Sequence, residues 1–268
     1  MTKSKFLFAA LVMSAPALFF GSCDPKENES NTKLVSKITF AAEEDVVLTF
    51  DYDAQNRVSK IDGSFFENVT VTYFADSVAM NGTLIITNIE ESYNGSEPVR
   101  TKEEVPFQSV AVLNSNGYAA SIKGSTEYGN MGIRATYYDD YLEKCEINGI
   151  ETRYSYTWTN GNISQIKITP PPVYDSGGTF TFQYSNYLSK NNIDIMPFFI
   201  DYGDSGAEIL VVLCQMLGLM GKQCANLPVN VMREDAYNTD LTYVFDNDGY
   251  PLTVSSSGKG TMCTIEYK

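Results

Sequence analysis

The side chains with chemical potential in this chain are mostly acids, 33 Asp and Glu against 19 Lys and Arg, and there is no His. Glu43, Glu44, Asp45, Asp139, Asp140, Glu143, Asp201, Asp204, Glu234 and Asp235 supply carboxylates in clusters. A glycosidase needs only two acids at a defined separation. A carboxylate-only glycoside hydrolase acting on polysaccharide is therefore one reading, and solvated turns are the other. The missing imidazole closes Ser-His-Asp and Cys-His catalysis and His-ligated zinc. Gly203-Asp204-Ser205-Gly206 has the spacing found around protease nucleophiles, but no base is present to activate the Ser. Ser205 followed by Glu208 reads instead as a helix capping box. Asp246-Asn247-Asp248-Gly249 hints at a calcium loop. An EF-hand needs Glu at its twelfth position, and here that position is Ser257, so a hairpin turn is expected. No CxxC or other metal spacing exists, and no metal or cofactor is expected.

Aromatic side chains are the better candidates for a site. Tyr alone numbers 18. Tyr138, Tyr141, Tyr156, Trp158, Tyr184 and Tyr187 lie on strands or beside turns and are the expected ligand-binding residues. Amphipathic rings with polar rims suit sugars and peptide segments; packing within sheets is the alternative. Cys145, Cys214, Cys224 and Cys263 allow three disulfide pairings, or none if they are buried thiols. A net charge of −14 argues against nucleic acid.

Strand-and-turn elements must position these residues. Three segments align without gaps: Tyr52 to Ile61, Leu113 to Ile122 and Phe245 to Val254. Each has a large apolar residue, Asp or Asn, a short polar turn, then an alternating strand. Shorter variants are Tyr138 to Lys144, Trp158 to Ser164 and Tyr184 to Lys190. Asn, Asp and Gly accept the left-handed backbone of tight hairpins, so each copy predicts a hairpin. Apolar alternation over Thr49–Tyr52, Val69–Tyr73, Arg153–Trp158 and Phe180–Tyr184 predicts strands with one face buried. The alternating runs last about five or six residues, short of the ~9–11 of a membrane strand. Ser205 to Gly221 departs from this pattern. From Ile209 to Met220 only Gln215 is polar, which predicts a helix buried on most sides. The expected fold is mainly β: an antiparallel meander curled into a soluble barrel-like domain with one inserted apolar helix at about 205–221.

The N-terminus reads as an export signal, residues 1–22, with Lys3 and Lys5 before the apolar run Phe6 to Leu18. Phe20-Gly21-Ser22-Cys23 resembles the lipobox of bacterial lipoproteins. That resemblance implies lipidation at Cys23 with acyl chains such as palmitate, and a membrane partner reached through the anchor. Residues 23–33 are polar and acidic and read as a tether; they are similar to the surface-export signal of Bacteroidetes lipoproteins. Residues 34–268 are then one domain. Removal of residues 1–22 takes away two Lys and no acid, moving the net charge from −14 to −16. Such a body is expected to hang off anionic lipid, not lie on it.

The mature chain also resembles a family of Bacteroides lipoproteins carrying a domain of unknown function described as porin-like. The lipobox, the Tyr-Asp hairpin repeats and the block Leu217-Gly218-Leu219-Met220-Gly221-Lys222-Gln223-Cys224-Ala225-Asn226-Leu227-Pro228-Val229 carry the resemblance. It implies a curved barrel with an inserted helix, and no activity. The expectation is a non-enzymatic binding or structural module with a glycan or protein partner. It would be lipid-anchored to the outer membrane, at the cell surface or in the periplasmic leaflet.

Overall fold

A computed structural model describes residues 33–41, 46–90, 99–127, 129–147, 150–169, 177–200, 206–234 and 237–268. Cys23, the tether up to residue 32 and Gly203 to Ser205 lie outside the described residues. Sixteen antiparallel strands form a closed barrel. In chain order they are β1 Val35–Phe40, β2 Val46–Tyr52, β3 Val58–Gly63, β4 Phe66–Tyr73, β5 Ser77–Glu90, β6 Val99–Leu113, β7 Ala119–Thr126 and β8 Gly129–Tyr138. There follow β9 Tyr141–Ile147, β10 Ile150–Thr159, β11 Asn162–Ile168, β12 Gly178–Leu188, β13 Asn226–Arg233, β14 Tyr237–Phe245, β15 Pro251–Ser256 and β16 Gly260–Tyr267. Each strand pairs with its chain neighbours, and β1 closes on β16 through Ile38–Ile265 and Phe40–Cys263. Closure removes both sheet edges, the standing hazard of a long meander.

The turns predicted from the repeat are three copies of one structure. The side chain of the first residue, Asp53, Asn114 or Asp246, accepts backbone N–H bonds from the residues two and four further on, at 2.9–3.0 Å. The fourth residue, Asn56, Gly117 or Gly249, has φ of 59°, 83° or 80°, which explains Asn and Gly there. Asp139–Asp140 and Asn160–Gly161 are two-residue turns with positive φ at both positions. The Tyr184–Lys190 copy is not a hairpin. β12 runs on to Leu188 past register shifts at Tyr184, where Ser185 Oγ accepts the Tyr187 N–H and donates to Leu227 O. β5 and β6 also exceed the expected length, pairing without interruption from Ser77–Val112 to Glu90–Val99.

All these turns lie at one end of the barrel, where the chain ends also meet: Leu34 and Lys268 exchange backbone hydrogen bonds. If residues 23–33 are a tether, as the sequence reading expects, this is the tether end. Outward positions are mostly polar, as in Thr70 and Thr72 of β4, Gln165 and Lys167 of β11 and Thr264 and Glu266 of β16, with Val110, Val112, Met232 and Val244 as exposed apolar exceptions. Inward positions are apolar and buried, among them Ile38, Ile61, Met80, Ile122, Ile166 and Phe180. The barrel thus inverts the pattern of a membrane porin, apolar outside and wet within. Among the described residues no helix is long and apolar enough to cross a membrane.

A barrel of sixteen strands encloses more space than wall side chains alone fill. The segment between β12 and β13 occupies it. Ile193, Ile195 and, in a short 3-10 helix spanning Met196–Phe199, Met196 and Phe199 are buried, and α1, Gly206–Met216, buries Leu210, Val211, Leu213 and Cys214 completely. The helix is shorter than the predicted 205–221. Gly218 adopts φ 70°, its N–H bonds Gln215 O, and the Leu219 N–H bonds Cys214 O, a left-handed cap that stops the helix there. The inserted segment is stitched to the rim by Ala119 N to Leu219 O, Lys222 N to Asp140 O and Ala225 N to Gly161 O.

Cys145, Cys214, Cys224 and Cys263 are free and buried. Burial is the main cause pushing all four thiols up, to about 12 for Cys145, Cys224 and Cys263. The thiolate is the reactive species. A thiol-specific dye is therefore expected to label none of these four in the native protein and all four in denaturant without reductant. A denatured count lower by two would reveal a disulfide.

Candidate functional site

The charged groups at the tether end mostly satisfy the fold. Lys33 Nζ stands 2.6 Å from both Asp246 and Asp248. A lysine thus occupies the position between carboxylates where a calcium ion would sit. Its hydrogen bond holds the Asp246 carboxyl below the usual range. Asp53 is raised by desolvation, but its bonds from Arg57 and Gln55 outweigh this and leave it lowered.

Inside the lumen, away from that rim, Arg153 and Glu208 form a buried ion pair. Arg153 and Tyr154 are adjacent yet both buried, next to a register shift between β9 and β10. Glu208 Oε1 accepts Arg153 Nη2 at 2.9 Å, Arg153 Nε at 3.2 Å and the Tyr154 hydroxyl at 2.8 Å. Arg153 also donates to Thr169 O. The pair joins the first turn of α1 to the wall. Glu208 was expected in a capping box with Ser205, which lies outside the described residues; the partners described for it are Arg153 and Tyr154.

A recess opens at the end of the barrel where Leu34 and Lys268 pair, between the inserted segment and β9–β11. Asp194, Gln215 and Lys222 line it together with Tyr156, Trp158 and Leu142. Its empty volume, mouth included, is ≈ 270 Å³, but the enclosed part admits only about one water-sized group. Trp158 is fixed by its Nε1 donating to Leu142 O at 2.8 Å. Tyr141 tilts onto Trp158 with ring centroids 4.7 Å apart, and Lys222 Nζ lies 5.1 Å from the Tyr141 centroid. Asp194 Oδ1 accepts the Met196 N–H at 2.9 Å. Desolvation by the packed wall raises its carboxyl to about 6, against the lowering effect of that bond. Asp194 is the only carboxylate in the lining, where a glycosidase would place two.

Tyr141, Tyr156 and Trp158 of the expected site converge here. Tyr184 lies behind the recess, its hydroxyl 3.4 Å from Cys224 Sγ. Tyr138 stands apart at the β8–β9 turn, 72% exposed. Tyr187, 57% exposed, packs on Phe245 at 4.7 Å instead. The polar residues that sequence reasoning missed are Asp194, Gln215 and Lys222. Asp194 carried a signal, as the lone acid in the apolar run Ile193–Met196; Gln215 carried another, as the single polar residue of its helix stretch.

The fold defines the class: a closed sixteen-stranded barrel with a filled lumen. A porin-like protein from Bacteroides uniformis is similar in structure, with a TM-score of 0.58 at 16% identity over 89% of this chain and 98% of that one. That similarity is one of fold. No protein-family model and no curated protein matches the chain.

Proposed function

We propose that this chain is a lipid-anchored envelope protein, attached through Cys23, whose barrel is a non-enzymatic binding or structural module. The observation that carries the binding reading is the placement of exposed apolar side chains. Of the nine large ones among the described residues, Phe74, Val112, Tyr138, Tyr187, Leu188 and Val244 lie within two residues of strand ends at the rim where Leu34 and Lys268 pair. Exposed apolar groups gathered at one end of a polar barrel mark an interaction surface. The polar outer wall supports a barrel in water, and the lipobox supports the anchor. The ligand class is a glycan or an envelope protein, met at the rim that carries the tether.

The test uses the mature chain. A ligand at 100 times its Kd should add about 2.7 kcal/mol of stability, visible in a thermal-shift screen of glycans and in pull-downs from envelope extract. Tyr138→Ala with Tyr187→Ala should weaken whatever is found. Metabolic labelling with a palmitate analogue should mark the wild type and not Cys23→Ala. A barrel that binds nothing in either assay leaves only the structural role, and an unlabelled wild type removes the anchor.

A further inference from the structure

The recess contains hydrogen-bond acceptors with unequal prospects of being satisfied. Gln215 is 6% exposed and its Oε1 has no hydrogen-bond partner among the described residues. A buried acceptor left unpaired costs about 1–3 kcal/mol. Asp194, in the same lining, is bonded by one backbone N–H and takes part in none of the described ion pairs. Desolvating a carboxylate without a counter-charge is costlier still. The one cation of the described lining, Lys222, is engaged elsewhere: its Nζ lies 3.5 Å from Asp140 Oδ2, 3.3 Å from Asp139 O and over the Tyr141 ring. The remaining lining is apolar, Leu142, Ile163, Met220 and Gly221, and aromatic, Tyr156 and Trp158.

We propose that this recess binds a primary ammonium group, held by Asp194 and Gln215 Oε1 and faced by Tyr156 and Trp158. An ammonium group has three donors and no acceptor, the complement of this lining. Its size matches the enclosed space, about that of a water molecule. Aromatic faces add attraction for a cation. An anion meets the Asp194 carboxylate, and a calcium ion wants six to eight oxygens, more than these two side chains provide. The inference rests on the binding reading above for its setting and names the chemistry of the bound group: an amine carried by a peptide, an amino sugar or a lipid head group.

Trp158 is the only Trp of the chain and stands in the recess wall, so intrinsic fluorescence reports on this site directly. The probe is methylammonium chloride, titrated into the mature chain near pH 8. The expected result is a saturable change in Trp158 emission that tetramethylammonium chloride, too bulky and without donors, does not produce at equal ionic strength. Asp194→Asn and Gln215→Met should each weaken binding about tenfold, the loss of one charge-assisted or buried hydrogen bond. Near pH 5 wild-type binding should weaken similarly, because the Asp194 carboxyl, raised to about 6, is then protonated. Tyr184 and Cys224, which also face Asp194, are both held above their ordinary values by burial and do not titrate in that interval. Equal responses to both salts, or wild-type binding by Asp194→Asn, would overturn the proposal. Should Asp194→Asn fail to fold, Gln215→Met decides it. A failed partner search would sink the binding module yet leave this titration intact, so the two failures are distinguishable.

Discussion

Glu208→Leu is expected to lower the unfolding free energy by about 3–5 kcal/mol, and Arg153→Met by a similar amount, because either change strands one buried charge. The side chains of Arg153 and Glu208 are only 9% and 8% exposed, so solvent does little to compensate. Surface pairs of this fold offer the contrast. Lys37–Glu266, at the same 2.9 Å, has side chains 37% and 59% exposed. Removing it should cost no more than about 1 kcal/mol. The double variant Arg153→Met/Glu208→Leu should regain most of the lost stability, since an apolar pair of similar volume often replaces a buried ion pair without loss. Thr169 O then loses its Arg153 donor, which limits the recovery. Denaturant unfolding of the four proteins gives the coupling energy directly. Single variants that lose less than about 1 kcal/mol would show that water reaches the pair.

That ion pair also shows where sequence reading stops. The hairpin turns were legible because their bonds are local: Asp53, Asn114 and Asp246 each cap residues two and four places on. The inserted helix was legible from its apolar run, and its early stop at Gly218 depends on a left-handed residue that the sequence did supply. Tyr184-Ser185-Asn186-Tyr187 has the same polar composition as a turn, yet pairing with β13 carries the strand through it. Composition cannot weigh a local turn against a distant ladder. The same holds for Arg153, which reads as an outward strand residue until a register shift brings it inside with Tyr154. The recess gathers residues from 142 to 222, so its two aromatics, Tyr156 and Trp158, were anticipated individually and their meeting with Asp194 and Gln215 was not. The thiols were undecidable in the sequence because free and paired cysteines have the same spacing; in the structure all four are free and buried.

The filling of the lumen makes the second large prediction. Leu210 of α1 is completely buried, and it rests where β7 has no side chain. A Cβ on Gly124 would come within 2.8 Å of Leu210 Cδ1 and 3.1 Å of Met131 Cε. Leu210→Ala should cost about 2–5 kcal/mol, the sum of lost burial and the cavity left behind. Gly124→Ala should cost less, about 1–3 kcal/mol of overpacking, because the groups it meets are the ends of flexible side chains. Combined, the two changes should cost less than their sum, since the new methyl occupies part of the space that Leu210 vacates. Thermal and denaturant unfolding of the two single variants and the double variant measure this coupling. Strict additivity would mean that α1 shifts to close the cavity by itself, and the helix would then be a loose filler. A coupling of about 0.5 kcal/mol or more identifies wall and helix as one packed unit. In that case the barrel cannot empty its lumen without unfolding, and any ligand must be met at the rim.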